Sequence, residues 1–497
     1  MLGLLVVAAL CGASQAANQP NILFIAADDL GWNDVGFHGN EAIKTPHLDA
    51  LAREGVILNR TYVQPLCSPS RSCFMSGRFP FHTGLQHIVI KPDLGYGLNL
   101  SITTTAQHMK SLGYSTHIVG KWHLVFCSKQ YTPTQRGFDS FYGYYLGAED
   151  YYTHQRALPI PVPAVQLGKK VVVSGLDFHR DTAESYSNVL DDNGTYSAYL
   201  FSREAINIVK KHNASAGPLY MYLPFQSVHN PLEAPLRFLE MYSTIKDKNR
   251  RTLSAMVSAM DEAIANITQA FKDQGLWNNT MLIFTTDNGG PVTQGANNWP
   301  LRGSKATVWE GGTRGSAFIH GFMLNKTGYT YNGLTHAVDW YPTVVSMAGG
   351  KVEDPEMDGM DMWPALQNNL TSPRTGFVYN IDKTGDVSAI RVGKYKYIKG
   401  NPGIGGWYPA PTVDLALEDY GDDGEISADK GPWLFDLDVD PLEKNNLYSS
   451  MPDQVKVMEA QLAEYMEGYV NDLYSQHQPD PKCNPDLFNG AWSSGWC

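Results

Sequence analysis

Two pairs of oxygen-bearing side chains each come directly after an apolar run in the sequence. Asp28 and Asp29 form the first pair, and Asp287 and Asn288 form the second. Carboxylate and amide oxygens are hard ligands that suit Ca²⁺, with Mg²⁺ as the competing ion. Carboxylates gathered in one place without a cation would repel one another strongly. The two pairs therefore predict a metal site, against the alternative that each acid forms a turn or caps a helix.

A reactive thiol is the second candidate, in the run Cys67-Ser68-Pro69-Ser70-Arg71. With Ser68 as N-cap and Pro69 as the first helical residue, Cys67 would lie just before a helix N-terminus. The free N–H groups and the helix dipole at such a point attract an anion, and Arg71 adds a positive charge one turn in. An anionic substrate held there would meet residue 67. The alternative is a buried structural thiol or one half of a disulfide.

The elements that must position these residues alternate between strands and helices. Continuous apolar runs typical of strands buried on both faces occur at 22–27, 219–225 and 281–286, and helical patterns occur at 197–212 and 251–274. This alternation predicts an α/β fold in which helices cover both faces of a mainly parallel sheet. Ligands of such sheets bind beyond the carboxyl ends of the strands, which is where the two acidic pairs fall.

The pattern changes after about residue 370 to short strand-like pieces, with Gly393-Lys394 as a hairpin turn between two of them. We expect a smaller antiparallel sheet there and a loop over 402–430. The predicted organisation is a signal peptide over 1–16, a catalytic domain over 17–370 and a smaller C-terminal α+β domain over 371–497.

Composition excludes one class of partner. The 497-residue chain has a formal net charge of −12 and a sequence pI near 5.6, whereas a nucleic-acid binder needs a concentrated cationic face. The densest basic run, Lys246–Arg251, is interpreted as a solvated helix start.

Several features predict export. Leu2–Gly12 is apolar but too short to span a bilayer, and the small residues before position 17 favour cleavage after Ala16. No later stretch is long and apolar enough to be a membrane span. The chain also carries N-glycosylation sequons, of which Asn59, close in sequence to the predicted site, is the one least expected to be modified. The sequons lie at Asn59, Asn99, Asn193, Asn213, Asn266, Asn278, Asn325 and Asn369.

The mature chain would keep five cysteines: Cys67, Cys73, Cys127, Cys483 and Cys497. An odd number in an oxidising compartment suggests that one thiol has another role. The other four allow three pairings, of which Cys483 with Cys497 is a plausible local loop.

The run Cys67–Arg78 resembles the signature of the sulfatase family, and Gly113–His123 resembles a second signature of that family. Together with the two acidic pairs and Leu434–Pro441, the resemblance spans nearly the whole mature chain. Within the family, Gln64–Cys67 and Asn297–Gly303 are most similar to the arylsulfatase B branch. The resemblance implies an alkaline-phosphatase-like large domain, with a mainly parallel sheet between helices, and a smaller domain with an antiparallel sheet.

The resemblance also implies the cofactors. Cys67 would be oxidised to formylglycine (3-oxoalanine) by the formylglycine-generating enzyme during export. One Ca²⁺ would be bound by Asp28, Asp29, residue 67, Asp287 and Asn288. The hydrated aldehyde of residue 67 would attack sulfur with one hydroxyl, and loss of a proton from the second hydroxyl would then expel sulfate.

Five basic side chains match the positions at which the family holds sulfate and the departing oxygen: Arg71, Lys121, His123, His229 and Lys305. By resemblance, Arg71 and Lys121 position residue 67 and sulfate, and His123 assists proton removal in the elimination step. His229 and Lys305 face the leaving group, one of them as general acid. Taken without the resemblance, His229 would be interpreted as a loop or packing histidine, and Lys305 as a surface lysine.

The predicted function is therefore hydrolysis of sulfate esters by a secreted or lysosomal arylsulfatase-type glycoprotein. Its substrates would be aryl sulfates, sulfated sugars such as N-acetylgalactosamine 4-sulfate, or both. One alternative is a phosphatase or phosphodiesterase of the related superfamily, which usually presents Ser or Thr and two zinc ions. Another is a non-catalytic, sulfatase-like secreted binding protein, which should have lost site residues; none is lost here. The natural substrate, the disulfide pairing and the oligomeric state stay open at this point.

Overall fold

The computed structural model describes residues 19–161, 170–409 and 431–497. The predicted signal peptide and the larger part of the predicted 402–430 loop lie outside the described residues. Within them, no helix has the length and apolar character that crossing a membrane requires.

The strands, in chain order, are β1 (Asn21–Ala27), β2 (Val56–Leu58), β3 (Thr61–Tyr62), β4 (Ser115–Lys121), β5 (Ser140–Tyr144), β6 (Gln155–Pro161), β7 (Lys170–Leu176), β8 (His179–Thr182), β9 (Tyr186–Asn188), β10 (Leu219–Pro224), β11 (Thr280–Thr286), β12 (Phe318–Gly321), β13 (Tyr329–Tyr331), β14 (Thr335–His336), β15 (Gly376–Asp382), β16 (Val387–Val392), β17 (Tyr395–Gly400) and β18 (Trp433–Asp436). The α-helices are α1 (Pro46–Glu54), α2 (Cys67–Ser76), α3 (Pro80–Thr83), α4 (Thr105–Ser111), α5 (Ser197–Lys211), α6 (Leu236–Met241), α7 (Lys248–Asp273), α8 (Glu310–Thr313), α9 (Trp340–Met347), α10 (Trp363–Asn368), α11 (Pro452–Met466) and α12 (Leu473–Gln476).

A ten-stranded mixed sheet runs through the molecule in the order β13-β2-β12-β11-β1-β10-β4-β5-β8-β9. Its centre, β11-β1-β10-β4-β5, is parallel, and the antiparallel pairings lie toward the two edges. In the central register, Ala27 of β1 lies opposite Thr286 of β11. The residues that follow these two strands therefore emerge side by side, as the apolar runs predicted.

Helices cover both faces of the sheet, which explains why the central strands are apolar throughout. Alternate residues of a strand point to opposite faces. Phe24 contacts a core that includes residues of α2 and α9, whereas Leu23 and Ile25 contact a second core that includes residues of α5 and α7. The α/β prediction is confirmed.

A second, four-stranded antiparallel sheet has the order β15-β16-β17-β18. Its apolar residues join the core that contains Phe24, and α11 packs beside it. The predicted hairpin is present, with Gly393 in a left-handed conformation at φ +56° between β16 and β17. The small antiparallel sheet is thus confirmed, whereas the division of the chain at residue 370 stays a prediction.

The basic run at 246–251 is only partly the solvated helix start that the sequence suggested. Helix α7 begins at Lys248, and the Asp247 side chain accepts a hydrogen bond from the Arg250 N–H as its N-cap. Arg250 itself is buried and pairs with the buried carboxylate of Asp34. The interpretation was wrong for Arg250, because a charged side chain can leave solvent when a buried acid meets it.

The suggested Cys483–Cys497 pairing is also wrong. Cys127 and Cys497 form the disulfide, across a sequence separation of 370 residues, and Cys483 is a buried free thiol. Cys67 and Cys73 are buried free thiols as well. The carbonyl of Cys127 accepts hydrogen bonds from the backbone of residues 495–497, and this contact brings the two distant cysteines together.

Candidate active site

The two acidic pairs meet at the carboxyl edge of the central sheet. Asp28 and Asp29 follow β1, Asp287 and Asn288 follow β11, and all four side chains are buried. The Asp29 N–H donates to Oδ1 of Asp287 at 3.3 Å, and Nδ2 of Asn288 donates to Oδ1 of Asp29 at 2.7 Å. Asp29 has a left-handed backbone at φ +60°. The predicted ligands therefore form one cluster.

Two oxygen atoms of this cluster fit a bound cation. Oδ1 of Asp28 and Oδ1 of Asn288 are buried, and neither has a hydrogen-bond partner among the described residues. Unpaired buried polar atoms are rare, because each loses its hydration without compensation. Burial, together with the charge of Asp287, raises the pKa of Asp28 to about 7 even though Lys121 opposes this. Oxygens that lack partners and a carboxylate that resists ionisation are what a hard divalent cation would satisfy.

Cys67 lies beside these acids. One ligand atom from each of Asp28, Asp29, Cys67 and His229 falls within 4.8 Å of the others. Cys67 is the first residue of α2 and is 1% exposed. The sequence thus placed Cys67 correctly at a helix N-terminus next to the metal-ligand candidates.

The start of that helix differs from the prediction, because Leu66 is the N-cap residue and α2 begins two residues earlier than the expected Pro69. The Ser68 hydroxyl does not cap the helix; it accepts a hydrogen bond from the Ile90 N–H at 3.1 Å. The neighbouring Ser70 hydroxyl accepts from the Gln64 N–H at 2.8 Å. These contacts between segments, rather than a local cap, hold the first turn.

Arg71 and Lys121 are buried and bind the acids. Nε and Nη2 of Arg71 donate to Oδ2 of Asp287 at 3.1 and 2.7 Å, and Nη1 donates to the Lys121 carbonyl at 3.1 Å. Nζ of Lys121 lies 2.5 Å from Oδ2 of Asp28. Both basic side chains therefore hold the carboxylates of Asp287 and Asp28 in place.

His123 follows β4, at the same carboxyl edge of the central sheet as the two acidic pairs, and is buried. Burial above all, and then the charges of Lys121 and Arg71, hold the pKa of His123 well below its usual range. The ring is therefore neutral at physiological pH and able to accept a proton. Its Nδ1 is buried and lacks a partner among the described residues.

His229 and Lys305 reach the cluster from two loops and are its more accessible members, with side chains 14% and 17% exposed. Nζ of Lys305 lies 2.6 Å from Oδ1 of Asp29, and Nε2 of His229 lies 3.7 Å from Oδ2 of Asp29. Nδ1 of His229 faces the Asn230 carbonyl at 2.7 Å, so this nitrogen carries a proton and donates it. Nε2 is thereby left to face the cluster. Burial opposes the charge of Lys305, but Asp29 raises the pKa of Lys305 above its usual range, so the amine is a cation.

Asn298 joins the loops that carry these groups. Its Oδ1 accepts from the Gly290 N–H at 2.9 Å, and its Nδ2 donates to the Gly290 and Gly303 carbonyls at 2.8 and 3.3 Å. The Lys305 N–H donates to the Gly290 carbonyl at 3.2 Å, and the Ala306 N–H donates to the Pro65 carbonyl at 2.8 Å. One buried amide thus connects the Asn288 loop to the Lys305 loop.

Asp34 is a supporting residue that sequence reasoning missed. Its Oδ2 accepts from the N–H groups of Gly31 and Asn297 at 3.0 and 3.1 Å, and Arg250 pairs with it. This buried carboxylate ties the loop after Asp29 to the loop that contains Asn298. Two of its partners, Asn297 and Arg250, lie more than 200 residues away in sequence, and no local pattern at Asp34 indicates them.

A second buried charge cluster lies behind the Asp287 loop. Nζ of Lys396, on β17, lies 3.0 Å from Oε1 of Glu310 and 2.8 Å from Oε1 of Glu443, and all three are buried. Glu310 begins α8, whose Gly312 carbonyl accepts from the Gly289 N–H at 2.9 Å. Lys396 therefore links the small sheet to the Asp287 loop indirectly, through Glu310 and α8.

Comparison with known proteins agrees with this geometry. A family model described as Sulfatase matches residues 20–350. Arylsulfatase J of Mus musculus is 41% identical over 96% of this chain and 80% of that protein. N-acetylgalactosamine-6-sulfatase of Canis lupus familiaris is 29% identical over 78% of this chain and 72% of that protein.

Among solved structures, Ps i-CgsB in complex with k-i-k-neocarrahexaose superposes with a TM-score of 0.76 at 27% identity, over 91% of this chain and 94% of that chain. The match of the family model over more than half of the sequence and the 41% identical relative confirm the predicted resemblance and fold class. The chain therefore belongs to the sulfatase family, and it is a hydrolase of sulfate esters.

Proposed function

We propose that this enzyme is a calcium-dependent sulfatase whose nucleophile is a formylglycine made from Cys67. The observation that carries the proposal is the buried cluster in which Asp28 and Asp29 lie beside Cys67, the N-terminal residue of α2, while Asp287 and Asn288 bind Asp29. The phosphatase alternative of the related superfamily is less well supported, because that class relies on several histidines around two zinc ions. Here the predicted ligands are carboxylate and amide oxygens.

Asp28, Asp29, Asp287, Asn288 and the modified residue 67 would hold one Ca²⁺. The unpartnered oxygens of Asp28 and Asn288 support this ligand set over one in which all the acids are neutralised by basic side chains. When bound, Ca²⁺ supplies the positive charge that polarises sulfate oxygens near residue 67. Arg71 and Lys121 orient the carboxylates of Asp287 and Asp28 through their contacts with them.

Oxidation of Cys67 by the formylglycine-generating enzyme would supply a hydrated aldehyde, one hydroxyl of which attacks sulfur while the other later allows sulfate to leave. A neutral, buried His123 suits the second stage, because it can accept the proton that is lost when sulfate departs. A bare thiol or serine at residue 67 would lack the second hydroxyl.

His229 and Lys305 are proposed to act on the departing alkoxide or phenolate. Lys305 is held as a cation by Asp29 and would stabilise the negative oxygen as the S–O bond breaks. Nδ1–H of His229 donates a hydrogen bond to the Asn230 carbonyl, which leaves Nε2 facing the cluster. In this role Nε2 carries the proton that the leaving group takes. Their greater exposure supports a position on the side from which a substrate would enter.

The proposed substrate class is a sulfated sugar, with simple aryl sulfates turned over as smaller esters. Two observations support this: the relative named N-acetylgalactosamine-6-sulfatase and the solved relative in complex with k-i-k-neocarrahexaose. N-acetylgalactosamine 4-sulfate and other sulfated sugars are the first compounds to compare.

We also propose passage through the secretory pathway, with removal of residues 1–16, N-glycosylation, and secretion or delivery to the lysosome. The Cys127–Cys497 disulfide supports an oxidising compartment. Asn59 is half-buried, and its Oδ1 accepts a hydrogen bond from Arg314 at 2.8 Å, so it is the sequon least suited to a glycan. The other sequon asparagines are exposed: Asn99, Asn193, Asn213, Asn266, Asn278, Asn325 and Asn369.

The test is to make the full chain in a eukaryotic secretory host and to measure the mass of the peptide that contains Cys67. An aldehyde in place of the thiol, together with calcium-dependent hydrolysis of 4-methylumbelliferyl sulfate, is the expected result. Cys67→Ala should abolish turnover, whereas the matched control Cys73→Ala, which alters another buried thiol of α2, should retain it. An unmodified Cys67 in an active enzyme, or activity unaffected by chelation of calcium, would refute the proposal.

A further inference from the structure

The loop that carries His123 has a strained backbone at two positions. The φ angles of His123 and Val125 are +55° and +78°, in the left-handed region that residues with a side chain avoid. Such a conformation is energetically unfavourable and persists only where the surroundings hold it. Contacts outside the loop must therefore keep His123 in place.

The end of β5 supplies contacts at the start of the loop. The N–H groups of Trp122 and His123 donate to the carbonyls of Tyr144 and Tyr145, at 3.0 and 3.1 Å. These two bonds hold the backbone up to His123. They do not restrain the strained Val125 that follows.

Residues 495–497 supply the contacts at the other end of the loop. The N–H groups of Gly495, Trp496 and Cys497 all point to the carbonyl oxygen of Cys127, at 2.7, 3.0 and 3.4 Å. The disulfide between Cys127 and Cys497 joins the same two segments covalently. Cys127 is four residues beyond His123, so the loop is fixed at both ends.

Aromatic packing connects the two ends. The Phe126 ring stacks on Tyr145 with 5.5 Å between centroids, and Trp496 approaches Phe126 edge-on at 6.4 Å. Tyr145 also provides the carbonyl that binds the His123 N–H. The segment from His123 to Cys127 is thus enclosed between β5 and residues 495–497, and it is buried throughout.

We infer that the Cys127–Cys497 disulfide positions His123 for the step that releases sulfate. This rests on the proposed function, in which His123 takes the proton lost in that step. Without the S–S bond, the loop loses its covalent restraint, and the strained backbone at Val125 is held within the loop by the hydrogen bond from Nε1 of Trp122 to the Val125 carbonyl at 3.0 Å. Relaxation of that backbone then displaces His123 from its place near Lys121 and Arg71. A disulfide that served only global stability would instead lower the amount of folded enzyme and leave each folded molecule as active as before.

The test compares Cys497→Ser and Cys127→Ser with the control Cys483→Ser, which removes a buried cysteine that forms no disulfide. Each full-length variant is secreted, purified as folded monodisperse protein and normalised for formylglycine at residue 67. We expect kcat of Cys497→Ser for 4-methylumbelliferyl sulfate to fall at least about tenfold, because a displacement near 1 Å can cost about 10²-fold. Rapid mixing should show a burst of methylumbelliferone, since sulfate release becomes slower than release of the phenol. The double variant Cys127→Ser/Cys497→Ser should match either single variant.

Hydrogen exchange gives a readout that is independent of turnover. The amides of residues 122–126 should exchange faster in Cys497→Ser than in Cys483→Ser, while amides of the central strand β1 stay unchanged. A kcat within twofold of the control, a loss of kcat without a burst, or unchanged exchange at 122–126 would each overturn the inference. If the wild-type enzyme hydrolyses no sulfate ester, the proposed function fails, and the exchange experiment still decides whether the disulfide holds the His123 loop.

Discussion

Replacing Gly147 with alanine should displace the His123 ring and slow catalysis with little change in the rest of the fold. A Cβ atom at residue 147 would lie 2.7 Å from Cε1 and 2.8 Å from Nε2 of His123. Nonbonded carbon atoms are stable at about 3.5–4.0 Å. The imidazole must therefore retreat by about 1 Å.

The size of the effect follows from that displacement. A misplacement of about 1 Å at a reacting group costs about 10²-fold in rate, which corresponds to about 2.7 kcal/mol in the activation barrier. We expect kcat for 4-methylumbelliferyl sulfate to fall about 10²-fold. KM should change little or decrease, because Lys305 and the proposed metal ligands are untouched. The overpacking itself should lower the free energy of unfolding by about 1–3 kcal/mol.

The matched control is Gly350→Ala, because a Cβ there would lie 2.7 Å from a methyl group of Leu112 and 2.9 Å from one of Val345. That variant should be destabilised to a similar degree in urea unfolding while its folded molecules keep the wild-type kcat. The reasoning would be refuted if Gly147→Ala retained full kcat, or if both variants lost kcat equally.

Three further outcomes are expected. Lys305→Met should lower kcat by about 10²–10³-fold, and the loss should be larger for a sugar sulfate than for an aryl sulfate, because a phenolate needs less stabilisation; equal losses on both substrates would contradict the leaving-group role. Lys396→Met should lower the free energy of unfolding by about 3–5 kcal/mol in a urea titration, because it leaves the buried Glu443 without its cation and removes the nearer of two cations from Glu310; a loss below about 1 kcal/mol would contradict this. Burial, and then the charge of Arg374, hold the pKa of His336 well below 6.5, so the unfolded chain takes up a proton first as the pH falls. Neutral His336 therefore lowers the free energy of unfolding as the pH falls below about 6.5, by up to about 1.4 kcal/mol per pH unit. His336→Gln should make the free energy of unfolding depend less on pH in this range. An unchanged slope of the free energy of unfolding against pH between 6.5 and 4.5 would refute this.

The parts of the fold that could be predicted depend on local sequence patterns, such as apolar runs and turn residues. The continuous apolar runs before Asp28 and Asp287 indicated parallel strands, and parallel strands bring the residues that follow them to one edge. The site cluster followed from this rule together with the family motifs. The hairpin was likewise visible in the pair Gly393-Lys394 between two strand-like pieces.

The parts that sequence reasoning missed depend on contacts between distant segments. Serine is a common N-cap residue, but the Ser68 hydroxyl accepts a hydrogen bond from the Ile90 N–H instead of capping the helix. Helix α2 begins at Cys67. Arg250 lies in a basic run that predicted a solvated helix start, yet its side chain is buried in an ion pair with Asp34. Cys127, the disulfide partner of Cys497, lies 370 residues away in sequence, and the spacing of the cysteines does not indicate this pairing.

The buried contact between Lys396 and Glu310 has a consequence for how such enzymes can be recombined. Lys396 lies on the small sheet, and Glu443 follows β18. Glu310 begins α8, whose Gly312 carbonyl accepts a hydrogen bond from Gly289 in the loop after Asp287. A chimera that takes the small sheet from a relative therefore has to bring a compatible base at position 396 and acid at position 443. Otherwise it places an unpaired carboxylate directly behind the site. The C-terminal sheet is in this sense inherited together with the active site, and exchanging one without the other should yield protein that folds poorly before any question of substrate arises.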